Sequence, residues 1–325
     1  MERKILIGFS SHRVETLSWA EKFMQESQVI FLEEPENEIL QRFLRDEISL
    51  EKYLKMKEFQ FPVFAEKMAK IVKDLYQKGK EVLAVEPYLE RVGRIYQLLE
   101  EGKEPSEILT HQELRKVYEI ERKVTGALLD FYQASLGSDF KVLLEKVKIF
   151  SKFDAERFRL RDRLRAKAII KMLPPSGKVY VEAGTIHLFL KKYLRAKLKN
   201  TWTVRSKYLL EDFVKGEKGR RWIYPPGELL TLRYIFKVKE NEEIENLLSA
   251  RSLIYILLIE KEERIPTEDN PFPHLREELQ IIQKLNSFSL LDCSFIYPKL
   301  RFREREVALK IFENYYLDKF RKETS

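Results

Sequence analysis

The chain has 325 residues, 44% hydrophobic and 12% aromatic, enough for one large domain or two ordinary ones with a buried core. A single cysteine, Cys293, excludes an internal disulfide framework and a Cys-based zinc cage, and sparse, unperiodic Gly and Pro exclude collagen-like and low-complexity chains. The 60 basic and 52 acidic residues leave a net charge of +8, but the signs are interspersed, as in RDEISLEKYLKMKE, and no nucleic-acid motif accompanies them, so a nucleic-acid partner is not expected.

The first apolar run, Ile5–Phe9 in MERKILIGFSSH, reads as a strand and is too short for the core of a signal peptide. A helical pattern follows from about Val14 to Gln25, then a strand at Val29–Leu32 and helices over Glu36–Arg45 and Ser49–Lys57. After Phe61-Pro62 another helix runs to Gln77, Gly79 stops it, and Val82–Val85 forms a third strand. From Leu89 to Leu173 the pattern is nearly all helical, broken around Gly102–Pro105 and Gly137-Ser138, and PPSG at 174–177 ends it. Lys178–Val181 is the fourth strand, and His187 opens the helix LFLKKYLRAKL. Beyond Asn200, Trp202–Val204 and the unbroken apolar run Leu253–Ile259 read as strands, the latter buried on both faces. Glu277–Leu285 and Glu304–Tyr316 read as helices, and Pro225-Pro226-Gly227 marks a boundary. No run approaches the ~20 apolar residues of a membrane span. The fold expected is α/β: a mixed, largely parallel sheet with a helical insertion over about 89–173 in a domain spanning 1–210, and an α+β extension over 211–325 that could continue the sheet.

The strand ends concentrate polar residues. The first strand leads to His12, the second to Glu33 and Glu34, the third to Glu86, and the fourth holds Glu182 and leads to His187. Parallel sheets bind ligands at their carboxyl ends, so these groups are expected to share one crevice. Gly8 and Gly184 allow the tight turns that would bring His12 and His187 together. Such a set can ligate a divalent metal, activate a water as base and acid, or offer an axial ligand to haem. Asp162 is a separate signal. It falls on the apolar stripe Phe158, Ala166, Ile169, Ile170 and Leu173, where a carboxylate needs a partner, with Arg161 and Arg165 the local candidates. His111 and His274 read as a surface residue and a packed loop residue, and Cys293 as a small buried hydrophobe.

These motifs together carry a family resemblance. GFSSH resembles the Gly-x-x-x-His opening of the ChaN-like, TraB and erythromycin-esterase-like (TIKI) superfamily. VIFLEEPENEILQRFLRDEISLEKYLK resembles the ChaN-like strand ending in Glu with its following helix, and FPVFAEKMAKIVKDLYQKGKEVLAV that family's next helix and strand. RDRLRAKAI resembles the Arg-Asp helix, and VYVEAGTIHL the strand ending Gly-x-x-His, the whole covering roughly residues 3–200. The resemblance implies site residues His12, Glu33 and His187, with Arg161 and Asp162, and a hydrolase of ester or peptide bonds using a metal-bound or His-activated water. His12, Glu33 and His187 would be the metal ligands. Phe9 stands where the esterase-like motif has Glu, and Arg165 where the Arg-Asp helix has Met. No lipobox cysteine stands near the N-terminus, so a ChaN-type lipid anchor is not expected. The rival expectations are a haem- or tetrapyrrole-binding protein without turnover, and a basic interaction protein with a degenerate site. A cytoplasmic, heat-adapted protein with a small-molecule or peptide substrate, no membrane partner and room for a homodimer completes the expectation.

Overall fold

The structure is a computed structural model that describes residues 2–56, 61–137 and 139–323, without the side chains of 320–323. The expected helix end at Lys57 and the Ser138 half of the second helical break lie outside the described residues. The chain divides into two units. One comprises Met1–Arg122, Glu156–Trp222 and Glu262–Pro271, the other Lys123–Ala155, Ile223–Lys261 and Phe272–Ser325.

The first unit is built on β1 (Arg3–Ser10), α1 (Leu17–Gln25), β2 (Val29–Leu32), α2 (Glu38–Leu44), α3 (Leu50–Lys55), α4 (Pro62–Gln77) and β3 (Glu81–Ala84). Next come α5 (Pro87–Glu100), the short α6 (Pro105–Ile108), the first part of α7 (Gln112–Ser135) and the last part of α8 (Phe140–Met172). β4 (Gly177–Gly184), α9 (Leu188–Lys197), β5 (Thr203–Tyr208) and α10 (Glu211–Lys218) complete it. The strands form one sheet in the order β3-β2-β4-β1-β5, and every pairing is parallel. The four strands expected at Ile5, Val29, Val82 and Lys178 therefore share one sheet, and Trp202–Val204 leads into its edge strand.

A parallel sheet needs cover on both faces, and the side chains alternate accordingly. Ile30, Leu32 and Tyr180 face a core completed by α1, α2 and α4, whereas Ile7, Phe31 and Val181 face Ala166 and Ile169 of α8 and Leu190 and Leu194 of α9. Late in sequence, β4 is inserted between β1 and β2, with Ser10 beside Gly184 and Phe31 beside Val181. That insertion carries three distant segments to one end of the sheet. It also requires Gly8, because a Cβ there would lie 2.2 Å from the Tyr180 hydroxyl oxygen.

In the second unit the described residues after Ile223 form only helices: α11 (Pro226–Ile235), α12 (Glu242–Leu258), α13 (Pro273–Leu285), α14 (Leu290–Leu300) and α15 (Arg305–Glu323). The expected strand at Leu253–Ile259 is the end of α12, so the extension is helical rather than α+β. The physical reason lies upstream. Asn241 accepts the Ile244 N–H at 3.0 Å, and Glu242, Glu243 and Glu245 favour the positive end of the helix dipole. Once nucleated, that helix continues through an apolar run that carries no period of its own. Its buried Leu253, Ile254 and Leu258 pack with Cys293 and Ile296 of α14 and Phe312 of α15. The division expected at residue 210 falls instead at Trp222–Ile223, beside Pro225-Pro226-Gly227, and part of the helical insertion, Lys123–Ala155, belongs to the second unit. Among the described residues no helix is long and apolar enough to cross a membrane.

Candidate active site

The carboxyl ends of β1, β2 and β4 bring His12, Glu33, Glu182 and His187 together in the first unit. His187 and His12 would contact the same point: a Cβ built on Gly184 lies 3.4 Å from His187 Cδ2, 3.5 Å from His12 Cε1 and 3.8 Å from Glu33 Oε2. The expected convergence of the two histidines is therefore observed. A Cβ at Gly184 would sit in van der Waals contact with both rings.

The two rings sit in different surroundings. His187, at the N-cap of α9, is 2% exposed. Its Nε2 lies 2.9 Å from Glu33 Oε1, its Nδ1 bonds Asp162, and Phe158 packs edge-on at 5.3 Å between centroids. The second Asp162 oxygen accepts the Leu190 N–H at 2.8 Å. The partner of Asp162 is thus His187, not a neighbouring arginine. Burial opposes charge on His187, yet Glu33 and Asp162 push its pKa up to about 9.

Glu33 is the centre of the network. Oε1 accepts from Arg161 at 2.8 Å, and Oε2 accepts the Gly184 N–H at 2.6 Å with Arg165 at 3.5 Å. Burial alone would raise Glu33, but the charge and hydrogen bond of His187 and the two guanidiniums hold it well below the usual carboxylate range. Arg165 is fully buried and donates to the Val85 carbonyl at 2.9 Å and the Glu182 carbonyl at 2.7 Å, tying β3 to β4. Glu86 lies 3.2 Å from Arg161 and 3.8 Å from Arg165, and burial pushes its carboxyl up. In the sequence Arg165 is a local candidate partner for Asp162 and a departure from a motif; its burial at the centre of the network is not expected there, although it stands three residues after Asp162 on the same helical face.

His12 faces outward. Its side chain is 34% exposed, and its Nε2 lies 3.7 Å from Glu182 Oε1 and 3.9 Å from Glu33 Oε2. Its backbone is left-handed at φ 52°, a conformation costing about 1–3 kcal/mol in a non-glycine residue. The His12 N–H donates to Ser10 Oγ at 2.9 Å, and Ser10 Oγ bonds Thr16 Oγ1 at 3.1 Å, which holds the turn. Glu182 accepts the Glu33 N–H at 3.0 Å, and burial pushes its carboxyl up.

His12, Glu33, Glu34 and Glu182 form one edge of a cavity of about 400 Å³. Leu32, Leu40 and Tyr53 line it, and α4 supplies Phe64, Ala65, Met68, Ala69 and Val72. The start of α4 is fixed by Glu263, which accepts the Val63 and Phe64 N–H groups at 2.8 Å each, and the Phe64 ring packs against His12 at 5.9 Å.

The donor set does not fit a divalent metal. Both Glu33 oxygens and both His187 nitrogens are engaged with arginines, a backbone N–H, Asp162 or each other, and among the described residues no group of three or more His, Cys, Asp or Glu is spaced to hold one. Haem ligation by His12 would compete with Glu33 and Glu182 for the Nε2 that faces them. Of the other histidines, His111 is exposed and His274 is buried in α13 of the second unit.

Fold and site define a five-stranded parallel α/β protein with a buried carboxylate–imidazole–guanidinium network opening on a cavity. No family model matches the chain, and no solved structure does. A protein of Archaeoglobus fulgidus described as uncharacterized is 32% identical over 291 residues, covering 90% of this chain and 97% of that relative. The chain belongs to the family of that archaeal protein.

Proposed function

We propose that the chain is a hydrolase of ester or peptide bonds in which His12 activates the attacking water without a metal. The observation that carries this reading is His12 itself, held in a left-handed turn at the cavity edge with Nε2 facing two buried carboxylates. Water adds its oxygen to the substrate carbonyl carbon while His12 Nε2 takes its proton, and the imidazolium returns that proton to the leaving oxygen or nitrogen as the carbonyl bond breaks. Glu33 and Glu182 orient the water and stabilise the imidazolium. Arg161, Arg165 and the His187–Asp162 pair keep Glu33 ionised and fixed. The ChaN/TraB/erythromycin-esterase-like resemblance belongs to the same proposal, supported by the place of GFSSH, Glu33, Arg161-Asp162 and His187 around one sheet end, and a cytoplasmic location is proposed with it.

The test is turnover of p-nitrophenyl esters and peptide anilides by the full chain, with and without chelator. His12→Ala should lower kcat by about 10²–10⁴-fold, and chelation should leave activity intact. Unchanged turnover in His12→Ala, or its loss on chelation, would sink the proposal. A Soret band on adding hemin, lost in His12→Ala, would replace it with the haem reading.

A further inference from the structure

We infer that the cavity beside His12 selects a straight apolar acyl or alkyl group carrying no negative charge, with an amine accepted at its polar end. This deepens the reading of His12 as the working group but rests on the shape and charge of the cavity. Its volume, about 400 Å³, lies toward the lower end of the ~300–1,000 Å³ typical of ligand pockets. One wall is α4, where Phe64, Met68 and Val72 alternate with Ala65 and Ala69. The two alanines are what leave space, because the same helical face bears large side chains on either side of them.

The polar residues of the lining fix the charge preference. The acids and the imidazole among them are Glu33, Glu34, Glu182 and His12, and among the described lining residues none is Lys or Arg. The guanidiniums of Arg161 and Arg165 are engaged with Glu33, and Arg13, next to His12, is held over the ring of Phe61, a further lining residue, at 3.8 Å. An anionic group entering the cavity would meet the like charge of the lining carboxylates, a cost that an uncharged or amine-bearing group avoids. Each methylene buried against α4 is worth ~0.8 kcal/mol, or about fourfold in affinity or kcat/KM.

The test has a binding arm and a turnover arm on the full-length chain. By calorimetry, hexylamine should bind at least ten times tighter than hexanoate. Ala65→Leu, which fills the cavity, should weaken hexylamine by tenfold or more, and Ala65→Val, a smaller insertion, should weaken it less. The Val variant also stands in should the Leu variant misfold. In turnover, p-nitrophenyl esters should gain about fourfold in kcat/KM per methylene from acetate to hexanoate, and Ala65→Leu should flatten the series. Hexanoate binding as tightly as hexylamine, or hexylamine binding unchanged in both Ala65 variants, overturns the inference. Selective hexylamine binding without turnover upholds it and discards the hydrolase reading instead.

Discussion

The buried His187 makes stability depend on pH in a window set by its two carboxylates. In the folded chain Glu33 and Asp162 raise its pKa to about 9, against 6.5 in an unfolded chain. A group that binds its proton more tightly when folded stabilises the fold fully below pH 6.5, and that contribution fades as pH rises through 9. The gap corresponds to about 3 kcal/mol at ~1.4 kcal/mol per pH unit. His187→Gln removes the titrating group and leaves Glu33 and Asp162 short of a buried cation, which should cost ~3–5 kcal/mol at pH 6.5. Urea unfolding of both proteins from pH 6 to 10 measures the difference. The wild-type advantage should shrink by about 3 kcal/mol across the window, because at high pH the neutral imidazole carries no charge and can donate to only one of the two carboxylates. A constant advantage from pH 6 to 10, or a His187 resonance titrating near 6.5 by NMR, would refute the reasoning.

Three further outcomes are expected. Gly8→Ala places a methyl 2.2 Å from the Tyr180 hydroxyl oxygen and 2.7 Å from Tyr180 Cζ, so it should cost ~1–3 kcal/mol in urea unfolding, and Tyr180→Phe should restore only part of that because the ring still clashes. Glu263→Ala frees two N–H groups at the start of α4 and should cost about 1–2 kcal/mol, with Glu263→Gln, which keeps one acceptor, losing less. Arg165→Met leaves Glu86 and Glu33 facing one guanidinium instead of two and should lower stability by ~3–5 kcal/mol, read as a fall in Tm.

The sheet and the site were legible in the sequence for the same reason: strand and polar terminus are adjacent in the chain. An apolar run followed by Gly and then His or Glu states both a buried strand and what stands at its end, as in ILIGFSSH and VYVEAGTIH. What was not legible depends on tertiary order. Asp162 announced its need for a partner by its place on an apolar stripe, but the partner, His187, is 25 positions away and reaches it only because α9 packs beside α8. Arg165 gave the same signal and was masked by the many arginines of FRLRDRLRAKAIIKM. The run LIYILLI misled because uniform burial erases both the two-residue and the 3.6-residue period. The deciding information was the Asn241 cap and the acidic first turn a dozen residues upstream.

The two histidines occupy equivalent places after neighbouring strands, yet their surroundings differ, and on the proposed hydrolase reading they take opposite tasks. A general base must release and take a proton near the working pH. His187, enclosed by Glu33 and Asp162 and pushed up to about 9, keeps its proton at neutrality and has no nitrogen left for a substrate. What it supplies is fixed positive charge. Together with Arg161 and Arg165 it balances a sheet end that gathers Glu33, Asp162, Glu86 and Glu182. That balance lets Glu33 stay ionised while nearly buried and present a fixed negative charge to His12, the imidazole with an open face on the cavity. On the proposed hydrolase reading, the buried ring prepares the field in which the exposed ring moves a proton, and the carboxylate shared between them couples the two.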